Sequence, residues 1–334
     1  MARWIVGLLS MEISKMKLFL IRIALFFAIV AVLDFSIGRV FNYLQANVAG
    51  GRTGAEYYVC KKATEDIIIL GSSRASHHYV PSIITDSLGL SCFNGGQDGN
   101  GIILHYGRWQ MLAKRHIPKI LIYDVTPDFD LRLNDNMAYV DRLKPFCSDS
   151  VVKGYVSSLF PMERIKLVSN FYRYNYKCLE LLSDCVLKED FLYNGGYVPL
   201  TGHIRPEIIN RAPKSRRNSI ELDYVKLSYL DSLVYEATSA GTIVVLTVSP
   251  SWQGGDYSVD VYDVIESIAR KYGALFYEYI DAKICEEPDS FEDSSHLNDD
   301  GAKALTKDLV SKIVERFKDR GKDLLVSCSY GRCL

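Results

Sequence analysis

Two short stretches, far apart in the chain, carry residue types that together make nucleophilic chemistry possible. In the first, the run Ile67-Ile68-Ile69-Leu70 stops at Gly71-Ser72-Ser73, and Arg74, His77 and His78 follow. A β-branched apolar run closed by glycine predicts a buried strand entering a tight turn. Ligands of open α/β sheets gather outside the carboxyl ends of the strands, so a serine here stands where chemistry can occur. Serines also follow strands for turn reasons alone, and this stretch by itself is a weak signal. The second stretch is Asp293-Ser294-Ser295-His296, ahead of a helix-like segment from Gly301 to about Phe317. A serine nucleophile needs a base to take its proton, and the base needs a carboxylate to fix its tautomer. An aspartate at i−3 to a histidine on one loop supplies both partners.

The elements between these stretches read as strand and helix in alternation, the pattern of a doubly wound, mostly parallel α/β sheet. Strands are expected at about 66–70, 91–94, 119–125, 242–248 and 275–277. Helices are expected at about 81–88, 102–115, 220–239, 261–272 and 301–317. Pro81 suits the first turn of its helix. The rhythm breaks at about 128–217, which is rich in Tyr, Asn and Cys, with helix-like pieces at about 151–158 and 162–182 and a turn-rich Asn194-Gly195-Gly196-Tyr197-Val198-Pro199. This insertion is expected to cap the site and set substrate choice; a structural elaboration away from the site is the alternative.

With Asn94-Gly95-Gly96 between them, the serine and Asp-x-x-His stretches resemble the SGNH/GDSL hydrolase family over roughly residues 65–318. The resemblance implies a flavodoxin-like α/β fold with catalytic residues Ser73, Asp293 and His296. It also implies an oxyanion hole from the backbone N–H groups of Ser73 and Gly96. One block departs: after the third strand, where the family carries an asparagine, the chain reads Tyr123-Asp124-Val125-Thr126-Pro127-Asp128. Losing one oxyanion donor typically costs about 100- to 1,000-fold in rate, so the departure bears on efficiency more than on reaction type. Arg74, Asn94 and His77 are the expected substrate-binding residues, Arg74 and His77 each set against a purely local bracing role. The Gly-Ser-Ser form behind an apolar N-terminus resembles envelope proteins of this type that handle acyl groups on cell-surface polymers. The implied substrate is therefore an acyl ester of a carbohydrate, attacked by hydrolysis or transfer. A catalytically silent envelope protein that binds glycan or scaffolds partners is the alternative.

The N-terminus points to a membrane. Leu18 to Leu33 is apolar except for Arg22, and about 20 apolar residues span a bilayer. Arg3, Lys15, Lys17 and Arg22 lie before or at its start and Arg39 is the first base beyond it, which puts the N-terminus in the cytoplasm and the domain in the periplasm or outside. No small-x-small cleavage site follows Leu33, so a retained anchor is expected rather than a cleaved signal. The organisation read from sequence is an anchor at 1–44, a tether at 45–65, a domain at 66–318 and a tail at 319–334.

Composition excludes several classes. A net charge of −1 without long charge runs argues against a nucleic-acid partner. The glycine-rich 95–101 stretch lacks the Gly-Lys-Ser/Thr ending of a phosphate loop. No cysteine and histidine spacing suits zinc, and no metal or cofactor is expected. Asp124, Asp128 and Asp130 are expected as caps and turn residues rather than a glycosidase pair. His105 is expected in packing, His116 at a helix end, and His203 as a residue of the cap. Of the eight cysteines, Cys178 with Cys185 and Cys328 with Cys333 are near enough in sequence to be disulfide candidates.

Overall fold

The computed structural model describes residues 2–319 apart from 135, 188–193, 210–218 and 255–256. Cys328, Cys333 and nearly all of the 319–334 tail lie outside the described residues. Five parallel strands form one sheet: β1 Ile67–Gly71, β2 Cys92–Asn94, β3 Ile120–Asp124, β4 Ile243–Val248 and β5 Leu275–Glu278, in the order β2-β1-β3-β4-β5. Period-2 alternation along the strands feeds two cores. Ile68, Leu70, Leu121, Tyr123, Val244 and Leu246 face one layer, and Ile67, Ile69, Ile120, Ile122, Ile243 and Val245 face the other. Both faces are covered, which is why the strands read as continuous apolar runs.

Along the chain, α1 (Ala2–Asn47) and α2 (Gly51–Lys61) precede the sheet. Then come α3 (Ser73–His78), α4 (Pro81–Leu88) and α5 (Ile102–Ala113). After β3 follow α6 (Pro127–Asp130), α7 (Met137–Val140), α8 (Ser150–Leu159), α9 (Glu163–Lys166), α10 (Asn170–Tyr174), α11 (Cys178–Leu187) and α12 (Pro206–Ile209). The closing part carries α13 (Tyr224–Ser239), α14 (Val259–Tyr272) and α15 (Asp299–Asp319). Because the strand order reverses between β1 and β3, their carboxyl ends open the crevice where ligands of such sheets bind.

Two parts of the expected organisation are corrected. The 45–65 stretch is not a tether: α1 runs through Asn47, and α2 seats Val59 and Cys60 in the core against α5. Buried Glu56 on α2 pairs with Arg142 and Lys177 of the insertion, so this helix joins the two regions. The insertion, in turn, is mostly not a cap. Its α8, α10 and α11 pack on α5, α1 and α2, while its 194–204 segment reaches the strand ends. The helix expected over 162–182 is three short helices, because Ser169 caps a new start at α10 through its hydroxyl. The helix expected from 220 starts instead at Tyr224, where the Asp223 side chain accepts from Val225 and Lys226 N–H.

The 34 residues from Ser14 to Asn47 form one helix long and apolar enough to cross a membrane. Cys178 and Cys185 are both free thiols. They stand two turns apart on α11, about 10 Å along the axis, beyond disulfide reach.

Candidate active site

Gly71 ends β1 at φ +142°, a backbone conformation side chains oppose, and a Cβ there would lie 2.6 Å from the Asp124 carbonyl. The strand therefore turns sharply into α3. Ser72 caps α3 by accepting from Arg74 N–H at 3.3 Å, and its hydroxyl lies 2.6 Å from that of Thr126 at the end of β3. This places Ser73 at the first helical position, over the β1–β3 crevice.

The loop after β5 brings the base to it. His296 Nε2 lies 2.8 Å from Ser73 Oγ, across 223 residues of sequence. His296 Nδ1 lies 2.9 and 3.1 Å from the Asp293 carboxylate oxygens, which also accept the N–H groups of Ser295 and His296 at 2.6 and 2.9 Å. Burial raises the Asp293 pKa, but these donors outweigh it and hold the group at about 2. An ionised carboxylate only accepts, so Nδ1 of the neutral imidazole carries the proton and Nε2 presents its lone pair to the Ser73 hydroxyl.

A buried chain behind the pair fixes the loop to the turn. Leu297 N–H donates to His78 Nε2 at 2.9 Å, so the His78 proton sits on Nδ1 and donates to Ser249 Oγ at 3.0 Å. Ser249 Oγ donates in turn to Asp124 Oδ2 at 2.8 Å, and its N–H donates to Oδ1 at 3.1 Å. Burial, together with repulsion from His296 and Arg74, drives the His78 pKa well below its ordinary value, so it is neutral. Burial also raises the Asp124 pKa, opposed by the Ser249 hydroxyl and Arg74, to about 6. No local pattern in the sequence connects Ser249 or Asp124 to His78, since these contacts are long-range.

The end of the insertion locks the same region. Asn94 N–H donates to Gly195 O, Val198 N–H to Ser76 O, Asp299 N–H to Leu200 O and Ile204 N–H to Phe291 O. Exposed His203 adjoins this last contact.

Several expected site residues turn out to hold the walls instead. Asn94 is buried, its amide donating to Ala75 O and Tyr79 O and its oxygen accepting Gly96 N–H at 2.9 Å. Gly96 N–H is thereby already engaged, and Gly95 and Gln97 N–H are taken by Ile69 O and Gly71 O. The one expected oxyanion donor with no helical partner is Ser73 N–H, at the first turn of α3. Gly96 packs directly on α3, a Cβ there falling 2.3 Å from Ser76 N. His77 donates to Val198 O at 2.7 Å and faces Asp98 Oδ1 at 3.4 Å, its ring edge-on to His296. Burial lowers the His77 pKa, but the Asp98 and Val198 contacts outweigh it and the net direction is upward. Arg74 donates to Ser249 O at 3.3 Å, bracing the turn. Asp130 holds Ile102 N–H, Tyr123 OH and Thr126 N–H, the capping role expected of it.

Beside the glycine loop opens a cavity of about 410 Å³, with Arg52, Gln97, Asp98, Asn194 and Tyr197 among its lining. Buried Arg108 supports that loop, donating to Gly95 O at 2.9 Å and Gln97 Oε1 at 3.0 Å. Among the described residues no group of His, Cys, Asp and Glu is arranged to hold a metal ion. His105 is fully buried, edge-on to Tyr123. His116 donates to Glu65 O at a helix end. No family model and no curated protein matches the chain.

Proposed function

We propose that the protein is a serine-dependent ester hydrolase or O-acyltransferase of the SGNH type, working through an acyl-Ser73 intermediate. The observation that carries this reading is the relay Ser73–His296–Asp293, 2.8 Å and 2.9 Å at its two links. Ser73 Oγ attacks the ester carbonyl while its proton passes to His296 Nε2. The C–O bond to the leaving alcohol breaks, and His296 returns the proton to that alcohol. Water or an acceptor hydroxyl, deprotonated by His296, then releases the acyl group and regenerates Ser73. Asp293 orients the imidazole and stabilises its cation.

The implied substrate is an acyl ester of an envelope carbohydrate. Its support is the cavity beside the glycine loop, where the Arg52, Gln97, Asp98 and Asn194 side chains offer hydrogen bonds to sugar hydroxyls. An N-terminal anchor with its N-terminus in the cytoplasm would present this domain to the periplasm or cell exterior.

A second reading is a catalytically silent glycan-binding or scaffold protein. The engagement of Gly96 N–H by Asn94 favours it, because of the two expected donors a tetrahedral oxyanion would find Ser73 N–H ready and Gly96 N–H taken. The two readings separate by intact-mass analysis after incubation with a short-chain activated ester. The catalytic reading requires an acyl adduct that vanishes in Ser73→Ala and persists in Ser72→Ala. An absent adduct in the folded parent protein supports the binding protein.

A further inference from the structure

The unbroken apolar run of α1 ends at Asp34, and the Asp34 carboxylate is clamped to the insertion. It accepts Ser169 Oγ at 2.6 Å, Asn170 N–H at 2.8 Å, Asn170 Nδ2 at 2.9 Å and Phe171 N–H at 2.9 Å. Two of these donors are backbone N–H groups of the first turn of α10, so Asp34 supplements the Ser169 cap from more than a hundred residues away. Gly38, one turn further on, lets α10 approach closely: a Cβ there would fall 2.3 Å from Asn170 Cβ. Tyr174 OH then bonds Asn42 Oδ1 at 2.7 Å and Gln45 Oε1 at 3.1 Å. The segment 162–174 is thus fixed to α1 where the unbroken run ends.

Around this clamp the surface is unusually apolar. Met162 is 64% exposed, Ile165 68%, Val168 71% and Phe171 50%, at a constant interval of three residues. Exposed Arg164 and Lys166 alternate with them. The helix supplies the reason for such a surface. Its apolar side chains continue past Asp34 through exposed Phe35, Ile37 and Val40, within the 34 residues long and apolar enough to cross a bilayer. Residues flanking a span lie in the interface, and here the clamp sets the 162–171 surface beside that flank.

We propose that residues 162–171 are a membrane foot. Met162, Ile165, Val168 and Phe171 enter the headgroup–acyl boundary of the leaflet from which α1 emerges, and Arg164 and Lys166 face its anionic headgroups. The inference rests on α1 spanning a bilayer. Its consequence is a domain held at a fixed height and orientation by two contacts, one spanning and one interfacial, instead of swinging on a linker.

The test uses the full chain in vesicles of phosphatidylethanolamine and phosphatidylglycerol. A benzoylphenylalanine photocrosslinker replaces Leu25, Val168, Phe171 or Tyr224, one at a time, and adducts are read by mass spectrometry. All four side chains are exposed, so the fold tolerates the replacements. Lipid adducts at Leu25, Val168 and Phe171, with none at Tyr224 on α13, are the expected result. Adducts at Leu25 but not at Val168 and Phe171, or crosslinks there between two copies of the chain, overturn the foot and leave the anchor standing. No lipid adduct at Leu25 removes the anchor and the foot together. Equal adducts at Tyr224 overturn the foot in favour of general adsorption.

Discussion

Replacing Asp293 by Asn should silence the site while leaving its shape intact, and the hydrogen bonds show why. Asp293 Oδ1 accepts the N–H groups of Ser295 at 2.6 Å and His296 at 2.9 Å, so the carbonyl oxygen of an asparagine must stay there. The amide nitrogen then takes the place of Oδ2, 2.9 Å from His296 Nδ1. A donor facing Nδ1 forces the imidazole proton onto Nε2, which is the atom 2.8 Å from Ser73 Oγ. Nε2 then donates to the serine and cannot take its proton. A wrong tautomer in a serine triad costs about 10⁴-fold in turnover, about 5.5 kcal/mol of barrier. The assay is hydrolysis of p-nitrophenyl acetate by the parent protein and Asp293→Asn, with thermal unfolding as the fold control. The loop keeps both backbone hydrogen bonds but loses their charge assistance, so stability should fall by about 1–2 kcal/mol. A folded Asp293→Asn that turns over at the parental rate refutes the tautomer argument.

Three further outcomes follow from the walls of the site. Gly96→Ala forces a Cβ against the α3 backbone 2.3 Å away, and should destabilise by about 1–3 kcal/mol in denaturant unfolding. Arg108→Met strips the Gly95 carbonyl and Gln97 of a buried cationic donor, and should cost about 3 kcal/mol, read as a lower urea midpoint at unchanged slope. The His77–Asp98 contact should show in the pH dependence of stability. The folded His77 pKa lies above its ordinary 6.5, so its contribution is full below about pH 6.5 and is lost as pH rises through the folded value. The stability difference between parent and Asp98→Asn should therefore be larger at pH 5.5 than at pH 9; a difference that grows with pH contradicts the pairing.

Local signals were legible in the sequence, and long-range ones were not. The strand run into Gly71-Ser72-Ser73 and the Asp293-x-x-His296 spacing are short-range patterns, and the alternating elements set their place in the sheet. Helix α2 escaped notice because Gly51 and Gly54 weigh against a helix by propensity, a weak preference that burial of Val59 and Cys60 overrides. Nothing local in the sequence reveals that Asn94 bonds Ala75, Tyr79 and Gly96. The chain from Leu297 through His78 and Ser249 to Asp124 draws on four distant segments, so no spacing encodes it. The bonds of Asp34 to Ser169 and Asn170 at the start of α10 span some 135 residues and leave no local sign in the sequence.

The central claim, an activated serine at position 73, is tested most directly by fluorophosphonate labelling of the full-length protein beside Ser73→Ala and His296→Ala. The account predicts rapid labelling of the parent at Ser73, none in Ser73→Ala and a severe loss in His296→Ala. A folded parent protein that does not label, or one that labels equally without His296, contradicts it.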